Sequence, residues 1–157
     1  MNGESAGDIE LQIKDASLRR IYSAWRRILV DRPSLPYVDD FARLAAECRD
    51  KTFLATVENG TFRFIEVGES LTRRLGRSLD GEVVKHHPPE LVGSLGATYR
   101  NCVTRQAPCY EYARFDFGDA NPTFFERLAL PFFSATRTVS HVGGVVLFAD
   151  VNAMMSA

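Results

Sequence analysis

Residues 52–81 read TFLATVENGTFRFIEVGESLTRRLGRSLDG, and this stretch decides the fold class. The runs 52–57 and 61–67 are rich in Thr, Val, Ile and Phe, side chains that suit a pleated, half-buried surface. Glu58-Asn59-Gly60 lies between them, and Asn-Gly is the strongest short-range signal for a tight hairpin. Residues 69–75 then change period. Leu71 and Leu75 stand one helical turn apart, and Gly76 is a stop signal for a short helix.

Toward the C-terminus, residues 77–87 show no clear period. Pro88 and Pro89 suit the first turn of a helix running to about Gln106. Its apolar residues, Leu91, Val92, Leu95, Tyr99, Cys102 and Val103, fall on one face, and Pro108 ends it. Three strand-like runs follow: 109–117 (CYEYARFDF), 123–133 (TFFERLALPFF) and 139–151 (VSHVGGVVLFADV). Turn-forming residues fill 118–122 and 134–138. Two strands, inserted helices and three more strands predict an α+β domain built on one five-stranded antiparallel sheet.

Toward the N-terminus, Leu18, Ile21, Tyr22, Trp25, Ile28 and Leu29 form one face of a helix, with Asp15 as its cap and Pro33 as its end. Arg19, Arg20, Arg26 and Arg27 lie on the opposite face, which reads as solvated. The apolar stripe needs a cover, either the rest of the domain or a second chain. A second short helix is expected over 38–48, with Phe41, Leu44 and Ala45 inward. The division that results is a flexible tail at 1–12, an N-terminal helical extension at 13–50 and a core at 51–152.

The chain has 157 residues, 45% hydrophobic and 25% charged, enough for one domain with a sizeable core. A net charge of -1 argues against a general nucleic-acid binder. No apolar run reaches the ~18 residues of a membrane span, and the polar, acidic first residues do not resemble a signal peptide. These features predict a cytoplasmic domain. Cys48, Cys102 and Cys109 lack the spacing of a zinc site or a disulfide framework, and read as small buried apolar residues. The balanced total hides a local surplus, six Lys or Arg against three Asp or Glu over residues 10–32.

With this element order, the turn Leu75-Gly76 through Gly81 resembles the L-G-x-x-x-x-G turn of PAS domains. Three further motifs resemble a bacterial subfamily of small, often single-domain PAS proteins. They are Trp25-Arg26 on the first helix, the segment Leu35-Pro36-Tyr37-Val38-Asp39-Asp40, and Glu126-Arg127-Leu128-Ala129-Leu130-Pro131 on the penultimate strand. The resemblance implies sensing or protein association through a small-molecule-sized cavity, without catalysis. Because the sequence ends soon after the last strand, no output domain is expected, and a signal is expected to pass by association. Gly68-Glu69 replaces the Asn with which many PAS domains start the first inserted helix, so ligand contacts of other PAS sensors are not carried over.

No cofactor is assigned from sequence, and three alternatives stand beside this reading. Asn101-Cys102 and Gln106 have the N-C-x-x-x-Q form of the flavin-binding light-oxygen-voltage motif, but lie about twenty residues too late in the chain. A haem sensor would carry a His on the long helix; His86 and His87 precede that helix and His141 is on the last strand. A small acid–base enzyme on a cone-shaped α+β fold would draw on Glu111, Tyr112, Glu126, His141 or Asp150, and their spacing selects no pair. No metal site is expected.

Two interaction sets follow. Leu18, Ile21, Tyr22 and Trp25 are expected to anchor a homodimer or a signalling partner. Leu95, Tyr99, Cys102, Phe115, Leu128 and Val146 are expected to line a ligand pocket. Neighbours on a strand face opposite ways, so at most one of Glu126 and Arg127 faces the long helix. Apolar Phe124, Leu128 and Leu130 mark Glu126 as the half-buried one, with Arg114 as its partner in a structural ion pair.

Overall fold

Asn59 and Gly60 both have positive φ, 50° and 77°. A two-residue hairpin turn whose twist matches its strands needs this pair, and glycine enters it without a Cβ penalty. Across it β1 (Thr52–Glu58) pairs antiparallel with β2 (Thr61–Val67). This hairpin forms one side of the sheet in a computed structural model that describes residues 6–31, 35–84, 95–115 and 123–150. The start of the expected long helix and the expected turn at 118–122 lie outside those residues.

The helix α4 (Glu69–Leu75) follows β2 and ends at Gly76. After α5 (Leu95–Arg105) come β3 (Cys109–Phe115), β4 (Thr123–Phe133) and β5 (Val139–Asp150). The strand order is β2-β1-β5-β4-β3, every neighbouring pair antiparallel. The last strand therefore sits at the centre and joins the first hairpin to the final meander. It admits no side chain at Gly144. A Cβ there would strike the Leu128 carbonyl and come 2.7 Å from the Phe53 ring.

Alternation along the strands makes two buried faces. Phe53, Phe62, Phe64 and Arg127 meet α5 on one. The other carries the N-terminal elements. These are α1 (Ala6–Gln12), α2 (Ala16–Asp31) and α3 (Phe41–Leu44), the last set between 3-10 turns at Val38–Asp40 and Ala46–Lys51. Asp15 caps α2, its Oδ1 accepting from the backbone N–H groups of Ser17 at 2.8 Å and Leu18 at 3.2 Å. Phe132 of β4 meets Phe41 edge to face at 5.4 Å between centroids.

Three expectations need correction here. The segment 1–12 is not all tail: α1 packs against α2 and β3, because Ile9 and Ile13, one turn apart, are both buried. The segment 38–48 is not one helix but two 3-10 turns around α3, broken again at Cys48 with φ -121° and ψ 30°. The stripe Leu18, Ile21, Tyr22 and Trp25 is no free interface. All four are 3% exposed or less within the single chain, and the Trp25 indole N–H donates to the Pro131 carbonyl at 2.9 Å. The sheet itself is the cover.

Candidate functional site

The centre of the α5 face is Tyr99. Its ring stacks on Phe53 at 5.5 Å and meets Phe62 edge-on at 5.1 Å, so aromatic contacts hold it on three sides with Phe64 at 6.5 Å. The hydroxyl is fully buried, yet it has no hydrogen-bond partner among the described residues. Burial pushes its pKa well up, partly opposed by the nearby Arg127 charge. Such a neutral hydroxyl offers one donor and an acceptor to any polar group brought against it.

Beside it lies a buried ion pair. Arg127 of β4 stands directly opposite Glu111 of β3 and donates to its Oε2 at 2.8 Å. The same Nη2 reaches the Thr98 hydroxyl of α5 at 3.4 Å, and the guanidinium sits 5.1 Å above the Phe125 ring. The pair is largely buried, with side-chain exposures of 8% for Arg127 and 21% for Glu111. Removing one member would leave an uncompensated charge inside the protein.

The residues just before these two face the other way. Glu126 Oε2 accepts from the Tyr110 hydroxyl at 2.7 Å and from the backbone N–H groups of Lys14 at 2.8 Å and Asp15 at 2.9 Å. Those amides belong to the link between α1 and α2. Burial and the bond to Glu126 raise the Tyr110 pKa well above its usual value, so the phenol keeps its proton and donates. Two adjacent residues on each of two adjacent strands, Tyr110-Glu111 and Glu126-Arg127, thus form polar contacts on both sheet faces. One set holds α5, the other the N-terminal helices. At the edge of β3 an open groove of about 210 Å³ borders both, lined by Ile9 and Gln12 of α1 as well as Thr98, Asn101 and Arg105 of α5.

No protein-family model and no curated protein matches the sequence. Solved structures do match. The PAS domain of BvgS from Bordetella pertussis aligns with 75% of this chain and 92% of its own, at a TM-score of 0.54 and 10% identity. A light-oxygen-voltage domain studied with a flavin analogue aligns with 74% and 90%, at 0.53 and 9%. A sensory box sensor histidine kinase from Vibrio cholerae aligns with 71% and 90%, at 0.50 and 15%. The fold is the PAS fold.

Within this PAS fold the expected pocket set divides. Tyr99 and Cys102 are fully buried, and Val146 faces the same side as Arg127, its partner in register. Leu128 lies on the other face with Glu126 and Phe132, which corrects its place in the pocket: strand alternation carries it to the N-terminal side. The side chains of Leu95 and Phe115 lie outside the described residues. So does that of Arg114, the expected partner of Glu126; the structure gives Glu126 two backbone amides and a phenol. Both Glu126 and Arg127 are buried, at 8% and 7%, because the PAS sheet is covered on both faces here.

The residues considered for acid–base chemistry are dispersed. Glu111 pairs with Arg127, whereas Tyr112 stacks on Phe124 on the opposite face. His141 shares a hydrogen bond of 2.8 Å with Ser140, and the Asp150 side chain lies outside the described residues, as do His86 and His87. Among the described residues no three His, Cys, Asp or Glu side chains gather in a metal-binding group. Sequence reasoning missed Tyr110, Thr98 and the Lys14–Asp15 amides. The Glu111–Arg127 charge match was the available signal, but reading it requires the register of β3 on β4.

Proposed function

We propose that this chain is a sensory signalling module of PAS type, in which an event on the α5 face is passed through the sheet to the N-terminal helices. One observation carries the reading. The Thr98–Arg127–Glu111 contacts and the Lys14/Asp15–Glu126–Tyr110 contacts are joined by two peptide bonds, Glu126 to Arg127 and Tyr110 to Glu111. A ligand that met the Tyr99 hydroxyl would shift α5, and with it Thr98 and Arg127. A buried ion pair has few alternative geometries, so displacement on one side changes the strand positions on the other.

Residues 51–152 then act as the sensory core and the segment before them as the contact extension. Association with a signalling protein or a second copy would use the outer surface of that extension. It presents Leu11 of α1 and Val30 of α2, 86% and 68% exposed. The subfamily motifs favour a bacterial, cytoplasmic setting, and no helix among the described residues is long and apolar enough to cross a membrane.

Native mass and absorbance spectra of the purified protein test the reading. A retained small molecule is expected, and stripping it should alter hydrogen exchange at Lys14 and Asp15. Loss of the molecule without any change at those amides would overturn the transmission route.

A further inference from the structure

Two of the three cysteines meet. Cys102 lies on α5, fully buried, and Cys109 opens β3 after a tight turn. In that turn the Ala107 N–H donates to the Cys102 carbonyl at 3.3 Å, and Gln106 takes a φ of 52°. Cys109 lies on the same face of β3 as Glu111, toward α5, where its thiol donates to the Ala107 carbonyl at 4.0 Å and has the Cys102 thiol as its neighbour. They differ in access. Cys109 is partly exposed and lines the open groove of about 210 Å³ together with Asn101, Arg105 and Glu111. Cys102 has no exposure, and burial beside Cys109 pushes its thiol well above the usual range. The buried sulfur is thus protected from a first attack by any dissolved reagent.

We propose that Cys109 and Cys102 form an oxidisable thiol pair, in which a hydroperoxide entering the groove reacts at Cys109 and Cys102 closes a disulfide. The Cys109 sulfur attacks the outer peroxide oxygen, the O–O bond breaks, and the remainder leaves as alcohol or water. Cys109 becomes a sulfenic acid. The Cys102 sulfur then displaces the sulfenic hydroxyl, which leaves as water with the Cys102 proton. The two thiols lose two electrons in total and the peroxide gains them. The bond ties the end of α5 to the start of β3, on the helix face that holds Tyr99, so oxidation acts on the element that the sensory reading makes mobile. A dithiol reductant reverses it. Cys48 is an internal control, because it donates to the Ser17 hydroxyl at 3.4 Å among the N-terminal helices.

The test exposes the reduced full chain to hydrogen peroxide, then denatures and alkylates it for intact-mass and peptide analysis. One alkylated thiol is expected, Cys48, with Cys102 and Cys109 joined in one pair of peptides. In Cys102→Ser no disulfide forms and Cys109 is captured by dimedone. In Cys109→Ser oxidation of Cys102 slows by about tenfold or more, as burial of a protonated thiol requires. Three alkylated thiols in peroxide-treated wild type would overturn the proposal. So would a bond that includes Cys48, or Cys109 oxidised to an acid while Cys102 stays alkylatable. The wild-type measurement decides even where a variant folds poorly.

Discussion

Glu126 and Arg127 are neighbours on β4, both buried, and they grip different parts of the protein on opposite sides of the sheet. Glu126 holds the backbone amides of Lys14 and Asp15, while Arg127 holds Glu111 and Thr98. A carboxylate beneath the N-terminal helices and a guanidinium beneath α5 are therefore one peptide unit apart. Neither can be lost cheaply, since each is itself buried and satisfies part-buried polar groups.

Truncating Glu126 should loosen the N-terminal helices first. Glu126→Ala leaves the Asp15 amide and the Tyr110 phenol without their acceptor, and the Lys14 amide with only the Tyr110 oxygen at 3.2 Å, at an expected cost of about 2–4 kcal/mol. Glu126→Gln keeps one acceptor oxygen and should cost less. Urea unfolding of both variants measures this, and equal losses would show that the carboxylate is not the shared acceptor.

Trp25 acts within the fold. Trp25→Phe loses the indole bond to the Pro131 carbonyl and should cost about 1–2 kcal/mol, whereas Trp25→Ala also opens a cavity and should cost about 3–5 kcal/mol. Light scattering should show the mass of the Trp25→Phe variant unchanged from wild type. A change of oligomeric state at full stability would return Trp25 to an interface between chains.

Tyr99→Phe should be neutral or stabilising by up to about 1 kcal/mol in ligand-free protein, because it removes a buried hydroxyl that has no partner among the described residues. The same variant should lose part of any thermal stabilisation that a bound molecule gives. A clear destabilisation of the ligand-free protein would mean that the hydroxyl is already satisfied.

The acid limb of stability should carry the α2 cap. Burial opposes ionisation of Asp15, but the Ser17 and Leu18 hydrogen bonds outweigh it and hold the carboxyl below its usual 3.8. Its contribution is complete above that value and is lost as pH falls through the lower folded one. His141 acts in a higher window. Burial holds its imidazole below 6.5, so the folded form loses stability as pH drops from there toward the folded pKa. Asp15→Asn, an equally good cap, should match wild type at pH 7 and lose less stability below about pH 4. Identical acid curves for the two proteins would exclude Asp15 from the acid limb.

Much of the fold was legible because its signals are local. Asn59-Gly60 specifies its turn without reference to anything distant, and the bounds 61–67, 69–75 and 123–133 follow from period and stop residues. The site was harder to read because it depends on which face is which. Leu128 and Glu126 share a face, and nothing local says whether α5 or α2 covers it. With helices on both sides, the strands carry apolar residues on both, and the alternation that would fix the faces is erased. The stripe from Leu18 to Trp25 showed that something must cover it, but its cover is β4, a hundred residues away. The amides of Lys14 and Asp15 left no trace, since a backbone donor has no sequence signature.

Hydrogen exchange of Lys14 and Asp15 in Arg127→Met tests the central claim most directly, because the substitution touches only the far face of the sheet. Both amides should exchange about tenfold faster or more than in wild type, as a loss of about 1.4 kcal/mol in local protection requires, while the amides of β1 and β2 keep their rates. Unchanged exchange at Lys14 and Asp15, in a variant whose α5 amides do speed up, would contradict transmission through the Glu126–Arg127 step.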